Sequence, residues 1–254
     1  MLDWPARGDI LARDDSADQL CGEGSMLPLP LCLVAPTTSE YAAVRPAVAR
    51  AGDRARLVLS GMGPERAAAV CEELGAAGSV ALVGWAGALD PALGPGDVVV
   101  AEAVVNEAGE RIECAPFRLE GARTGMVLSV ATLLMEPEEK RAAWRRGVVA
   151  VEMEGFALAR WAAGQGVPLV HVRVILDAAG EQLPALGDAL DPFGRVRPGR
   201  LARRLVARPG LVPELVRYAG RVRALSPRLA AIAAALVAAG SPEAPASGRP
   251  PGSR

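Results

Sequence analysis

Residues 148–180, VVAVEMEGFALARWAAGQGVPLVHVRVILDAAG, constrain the fold more than any other stretch of the chain. They read as strand end, helix, tight turn and second strand. Phe156, Ala157, Leu158, Ala159, Trp161 and Ala162 follow the Glu-Met-Glu triplet, and Gly164, Gly166 and Pro168 end the helix. PLVHVRVIL then runs as a β-branched, largely apolar segment, the pattern of a strand buried on both faces. It delivers Asp177 at its C-terminal end. Open α/β sheets bind ligands outside the carboxyl ends of their strands. Glu152, Glu154 and Asp177 are therefore the most function-like cluster in the sequence.

At 254 residues, 51% hydrophobic and a formal charge of -1, the chain has ample core for one α/β domain. Near-neutral charge gives no reason to expect nucleic acid as a partner. The four scattered cysteines lack CxxC spacing and read as reduced thiols in a cytoplasmic protein. A single histidine, His171, and no Cys/His cluster argue against a zinc site. No apolar run reaches the roughly 18 residues of a membrane span.

Residues 1–28 are expected to be a disordered tail, and a purine-rich run encoded before Met26 would make Met26 the true start. Residues 29–198 read as the α/β domain. Its first strand, 29–34, leads into a helix that Thr38 or Ser39 can cap and that carries Glu40 in its first turn. A strand at 56–59 and a helix at 65–74 flank Gly61 and Gly63, whose spacing lacks the third glycine of a dinucleotide loop. A strand at 79–84 enters Trp85-Ala86-Gly87-Ala88, whose alanines and glycine allow close approach of a ligand or a helix. Strands at 98–101 and 124–132, a hairpin within 102–122, a helix at 136–146 and a loop at 181–198 complete the domain. Residues 199–239 read as a helical appendix interrupted at Pro209, Pro213 and Pro227, with eight arginines against one acid between Gly199 and Ala230. Its arginine face suits either solvent or anionic lipid headgroups. Residues 240–254 read as a second disordered tail.

Four segments, SGMGPERAAA at 60–69, VGWAGALDPALGPGDVVV at 83–100, VAVEMEGFALA at 149–159 and VPLVHVRVILDAA at 167–179, together resemble the nucleoside phosphorylase superfamily. The resemblance is to its methylthioadenosine/S-adenosylhomocysteine nucleosidase branch in particular. The C-terminal run LARRLVARPGLVPELVRYAGRVRAL looks most like the hopanoid-associated members, which are thought to remove adenine from adenosylhopane. The resemblance implies a three-layer α/β/α fold around a mixed sheet, a homo-oligomer, and cleavage of a nucleoside N-glycosidic bond by water or phosphate. It implies no metal and no organic cofactor.

Such cleavage passes through an oxocarbenium-like sugar, so the site must stabilise positive charge and protonate the leaving base. Asp177 stands at the position of the family's acid, where burial at a strand end can raise its pKa; otherwise it is a helix cap or turn aspartate. Glu154 matches the carboxylate that accepts hydrogen bonds from the ribose hydroxyls, and Met153 packs against the sugar. The plainer roles are a first-turn acid on the helix dipole and a core filler. Glu152 has a weaker claim and can be structural. Glu40 falls where the family's phosphorylases carry an anion-binding arginine and its nucleosidases a water-orienting glutamate, which favours hydrolysis over phosphorolysis.

Three residues depart from the family pattern. Trp85, beside the candidate Gly87, replaces a Ser or Thr near the nucleophile. Leu133 replaces an aromatic that stacks on the base, and Leu176 a serine beside the acid. Trp85 further weakens a phosphate site, so a phosphate-dependent phosphorylase is the alternative reading; together the three changes admit a reshaped pocket for a bulky apolar substrate or a silent nucleoside-binding protein. His171 reads as a core histidine, and Arg173 as the partner of a carboxylate below the pocket.

Overall fold

The computed structural model describes residues 30–75 and 77–240. The expectations for residues 1–28, for Met26 and for the tail beyond Gly240 lie outside these residues.

The first half alternates strand and helix: β1 (Leu31–Ala35), α1 (Thr38–Ala51), β2 (Ala55–Leu59), α2 (Pro64–Leu74) and β3 (Ser79–Ala88). There follow β4 (Val98–Asn106), β5 (Arg111–Glu113), β6 (Arg123–Ser129), α3 (Pro137–Ala143), β7 (Val148–Glu152), α4 (Gly155–Gln165) and β8 (Leu169–Asp177). Helices α5 (Pro198–Ala207) and α6 (Leu211–Ala239) end the described chain.

All eight strands form one mixed sheet. Parallel β2, β1 and β3 make an open wing, with Leu31 opposite both Ala55 and Ser79. Beyond it the sheet closes on itself. β3 pairs with parallel β8 and antiparallel β7, β7 with parallel β6, β6 with parallel β4, and β4 with antiparallel β8. β3, ten residues long, serves both parts, and in its C-terminal half all residues but Trp85 are glycine or alanine. The small-residue stretch expected to follow the strand is therefore part of it.

Alternation along the strands sends side chains to two cores. Val80, Leu82 and Ala86 pack with Leu74 of α2 and Leu158 of α4, whereas Ala81 and Val83 pack with Val44 of α1 and Leu229 of α6. The result is the three-layer α/β/α architecture that the sequence implies.

Two proline expectations change. α6 runs unbroken through Pro213 and Pro227, and only Pro209-Gly210 separates two helices. Pro213 lies in the first turn, where its missing N–H has no intrahelical acceptor to lose. Pro227 is carried by tertiary packing, since Leu229, Ile232, Ala233 and Leu236 just beyond it are buried. Each such large side chain contributes roughly 1.5–3 kcal/mol. By length and composition alone α6 is also apolar enough to cross a membrane, with a mean hydropathy of 1.5 in its best window. In this fold its apolar face lies against α1 and the sheet. No residue of α5 is buried; Arg200 and Arg204 bind Asp188.

Candidate active site

The sheet closes at Gly87, where Val151 of β7 and Asp177 of β8 both lie opposite β3. The register of β8 slips by one residue there, so that Ala86 faces Ile175 and Gly87 faces Asp177. A bulge of this kind re-aims the side chain that follows it. Leu176 is the extra residue, and its carbonyl accepts a 2.9 Å hydrogen bond from Arg221 of α6. A Cβ on Gly87 would sit 3.0 Å from Asp177 Oδ2, so glycine is what admits the carboxylate.

Three residues back, Gly84 does the same for a second group: a Cβ there would collide with the Glu40 carboxylate and the Arg173 guanidinium. Glu40, in the first turn of α1, is 2% exposed. Its Oε1 accepts from Trp85 N (2.6 Å), and its Oε2 from Thr37 N and Thr37 Oγ1 (2.6 Å each). Thr37, rather than Thr38 or Ser39, caps α1, because only Thr37 stands three residues before a glutamate and completes a reciprocal capping box. Burial raises the Glu40 pKa, with Arg173 and Thr37 opposing.

Arg173, fully buried on β8, is the hub. Its Nη2 donates to Glu152 Oε2 and to Glu154 Oε2 (3.1 Å), its Nε to His171 Nε2 (2.8 Å), and its Nη1 to Trp85 O (3.3 Å). Strand periodicity puts His171 and Arg173 on one side of β8. Burial, with Arg173 adding to it, lowers the His171 pKa to about 3. The ring is thus neutral and accepts at Nε2, which leaves the proton on Nδ1. It is the core histidine that the sequence suggests.

The two glutamates of the triplet separate sharply. Glu152 accepts from the backbone N–H of Glu154 (3.0 Å) and Gly155 (2.8 Å), so Glu152 and not Glu154 serves the N-terminus of α4. Burial pushes its pKa up, but Arg173 and these donors hold it below the ordinary value. Among the described residues, Glu154 accepts only from Gly63 N (2.9 Å) and Arg173. Burial and the neighbouring Glu152 and Glu40 carboxylates, against the pull of Arg173, push it up to about 7. The Met153 methyl lies over the Gly63 turn.

At the other end, Lys140 Nζ meets Asp177 Oδ2, Ala178 O (2.8 Å) and Glu181 O (2.9 Å), with the lysine side chain 1% exposed. Burial raises the Asp177 pKa and Lys140 opposes the rise. Asp177 caps no helix. Tyr218, half-buried on α6, lies close enough to Asp177 and Glu40 that burial and both charges raise its pKa.

Leu133 is 52% exposed between β6 and α3. Trp85 is half-buried, and its indole N–H is buried with no partner among the described residues. Two wider clefts, of about 730 and 660 Å³, lie outside this cluster. The second borders it at Ser129 and Phe156, where Phe156 N donates to Ser129 Oγ. Sequence reasoning did not single out Thr37, Lys140, Tyr218 or Arg221. Thr37 carried a signal in its T-x-x-E spacing.

The sequence model of the phosphorylase superfamily matches residues 35–117 and 120–195. No curated protein matches the chain. Among solved structures, the 5′-methylthioadenosine/S-adenosylhomocysteine nucleosidase of Neisseria meningitidis, in complex with methylthio-immucillin-A, superposes with a TM-score of 0.54 at 22% identity, over 60% of this chain and 87% of that one. The nucleosidase of Colwellia psychrerythraea 34H, in complex with adenine, gives 0.53 at 21%, over 61% and 84%. The futalosine hydrolase of Helicobacter pylori strain 26695 gives 0.52 at 18%, over 61% and 87%. At these identities the likeness is one of fold, whereas the sequence model covers more than half of the chain: the protein belongs to the phosphorylase superfamily.

Proposed function

We propose that the protein hydrolyses the N-glycosidic bond of an adenine nucleoside. The observation that carries this reading is the placement of two buried carboxylates along one short piece of β3, Glu40 at Gly84 and Asp177 at Gly87. The two glycines are three residues apart, roughly 10 Å along the strand, so the carboxyl groups stand at separate points with space between them. Hydrolysis by an acid on one side and a water-activating base on the other calls for carboxyl groups roughly 6.5–9.5 Å apart, room for a sugar carbon and a water. Asp177 then gives a proton to purine N7, and the bond to C1′ breaks with its electron pair going to the base. Glu40 takes the proton of the attacking water, a task that its raised pKa suits. Glu154, with lone pairs not used by Gly63 and Arg173, accepts from the ribose hydroxyls and faces the developing cation. Met153 packs on the sugar, and the Trp85 indole N–H is left free to donate.

Water is favoured over phosphate because the guanidinium beside Glu40, Arg173, is already committed to two glutamates. A phosphate would meet mainly carboxylates. Two of the structural relatives are methylthioadenosine/S-adenosylhomocysteine nucleosidases, in complex with methylthio-immucillin-A and with adenine, which supports an adenine nucleoside with a modified 5′ group. The C-terminal resemblance extends this to adenosylhopane. Exposed Val206, Val212 and Val216 among the arginines of α5 and α6 would then touch the surface of the membrane that holds such a substrate. A cytoplasmic homo-oligomer completes the reading.

The test is adenine release from adenosine, methylthioadenosine and adenosylhopane, with and without phosphate. Release without phosphate is expected. Release only with phosphate would make the protein a phosphorylase, and adenosine binding without release would make it a silent binder.

A further inference from the structure

The chain contains 27 arginines and one lysine, and the lysine is Lys140. Every other cationic side chain of this kind is arginine, even the fully buried Arg173. The exception is sealed against the carboxylate that the proposed reaction needs as its acid. Nζ has three acceptors: Asp177, Ala178 O and Glu181 O. They use up the three N–H groups of an ammonium. Asp177 therefore rests as one half of an ion pair, without a proton of its own to give.

We propose that Lys140 is the source of the proton that Asp177 passes to the leaving base. The lysine acts through Asp177 as a positioning and proton-supplying residue. Nζ gives one proton to the Asp177 carboxylate, and the carboxyl gives one to purine N7 as the C1′–N bond breaks with its electron pair going to the purine. Water adds to C1′ and its proton goes to Glu40. One proton has then moved from Lys140 to Glu40, and exchange with solvent restores both.

The geometry suits the transfer. An amine keeps two N–H groups for the carbonyls of Ala178 and Glu181, and its lone pair faces the new carboxyl hydrogen, so every hydrogen bond survives. Burial penalises both charges of the pair, which brings the neutral pair within reach of the charged one when the base departs. Arginine could not replace the lysine, because a guanidinium stays protonated. The other ionisable groups facing Asp177 are Glu181 on the following loop and Tyr218 and Arg221 on α6. Arg221 is itself held by Glu181 at 2.7 Å and by Leu176 O, and it does not contact the carboxylate.

The proposal rests on the glycosidase reading, so its test has two parts, one free of substrate. In the full-length protein, carbon-13 NMR follows the Asp177 carboxyl against pH, assigned by its loss in Asp177→Asn. Lys140→Met is expected to raise the Asp177 midpoint by about one pH unit or more, since a neighbouring cation is removed. Lys140→Arg is expected to leave Asp177 a carboxylate. In adenine release, Lys140→Arg is expected to lose ~10²-fold in kcat at every pH with KM little changed. Lys140→Met is expected to keep more activity than Lys140→Arg at low pH and to lose it as pH rises.

A purely structural ion pair predicts the reverse order, with Lys140→Arg the better variant, and that order would overturn the proposal. So would an unshifted Asp177 midpoint in Lys140→Met. If Lys140→Met does not fold, Lys140→Arg decides alone: wild-type kcat in that variant overturns the proposal. If the wild type releases no adenine, the glycosidase reading fails, and the carboxyl titration still decides who controls Asp177.

Discussion

At the Gly84 end of the site three carboxylates surround one guanidinium, whereas at the Gly87 end a single carboxylate faces a single ammonium. Both ends are buried, yet they hold charge in opposite ways. The first is overfilled with acid. Arg173 and the α4 backbone satisfy Glu152, whereas burial raises the Glu40 pKa, and burial with the neighbouring carboxylates raises that of Glu154. A surplus carboxylate is costly in an empty site and useful beside an oxocarbenium ion. The second end is balanced, so its charge can vanish by moving one proton. One end is built to meet positive charge and the other to supply a proton.

The comparison can be broken most forcefully at its hub. Arg173→Met leaves three carboxylates buried without their cation and is expected to cost about 5 kcal/mol, the upper end for a broken buried pair. Chemical denaturation would read this as loss of most of the folded baseline. Glu152→Gln removes the better-held partner of Arg173 and is expected to cost about 3 kcal/mol. Glu154→Gln should change stability by about 1 kcal/mol or less, while lowering kcat for adenine release ~10²-fold. Equal stability losses in the two glutamine variants would erase the distinction drawn between neighbouring glutamates.

pH separates the same pair. The Glu154 pKa is raised in the folded chain, so its contribution to stability is full below its unfolded value and is lost as pH rises through about 7. Glu152 is lowered, so its contribution is present at neutral pH and lost only in acid. The fall in Tm between about pH 6 and about pH 8 should therefore shrink in Glu154→Gln, where nothing remains to ionise. A smaller effect is expected at the acid end. Gly87→Ala brings a Cβ against Asp177 and should lower kcat about 10-fold, a fraction of what an ångström of misplacement can cost. Smallest is Thr37→Val, which removes the cap of α1 and one donor to Glu40, at about 1 kcal/mol of stability.

Much of this was legible in the sequence where local chemistry decides. The apolar run of β8, the glycines that end α4 and the alternation of strands and helices all state their own structure, and Arg173 pairs with carboxylates as expected. Long-range register was not legible. Nothing local shows that β7 and β8 meet β3 at the same glycine, so the reason for Gly84 and Gly87 stayed hidden. Proline misled for the same reason, since packing of residues 229–236 carries α6 through Pro227. Lys140 lies 37 residues from Asp177, and its only sequence mark is its solitude among arginines.

The central claim is that water, activated between Glu40 and Asp177, is the nucleophile. Reaction with an adenine nucleoside in oxygen-18 water, followed by mass spectrometry of the sugar, tests it most directly. Hydrolysis predicts oxygen-18 at C1 of the free sugar with phosphate absent, and no such product from Asp177→Asn. A sugar 1-phosphate formed only with phosphate, or labelled sugar undiminished in Asp177→Asn, would contradict the account.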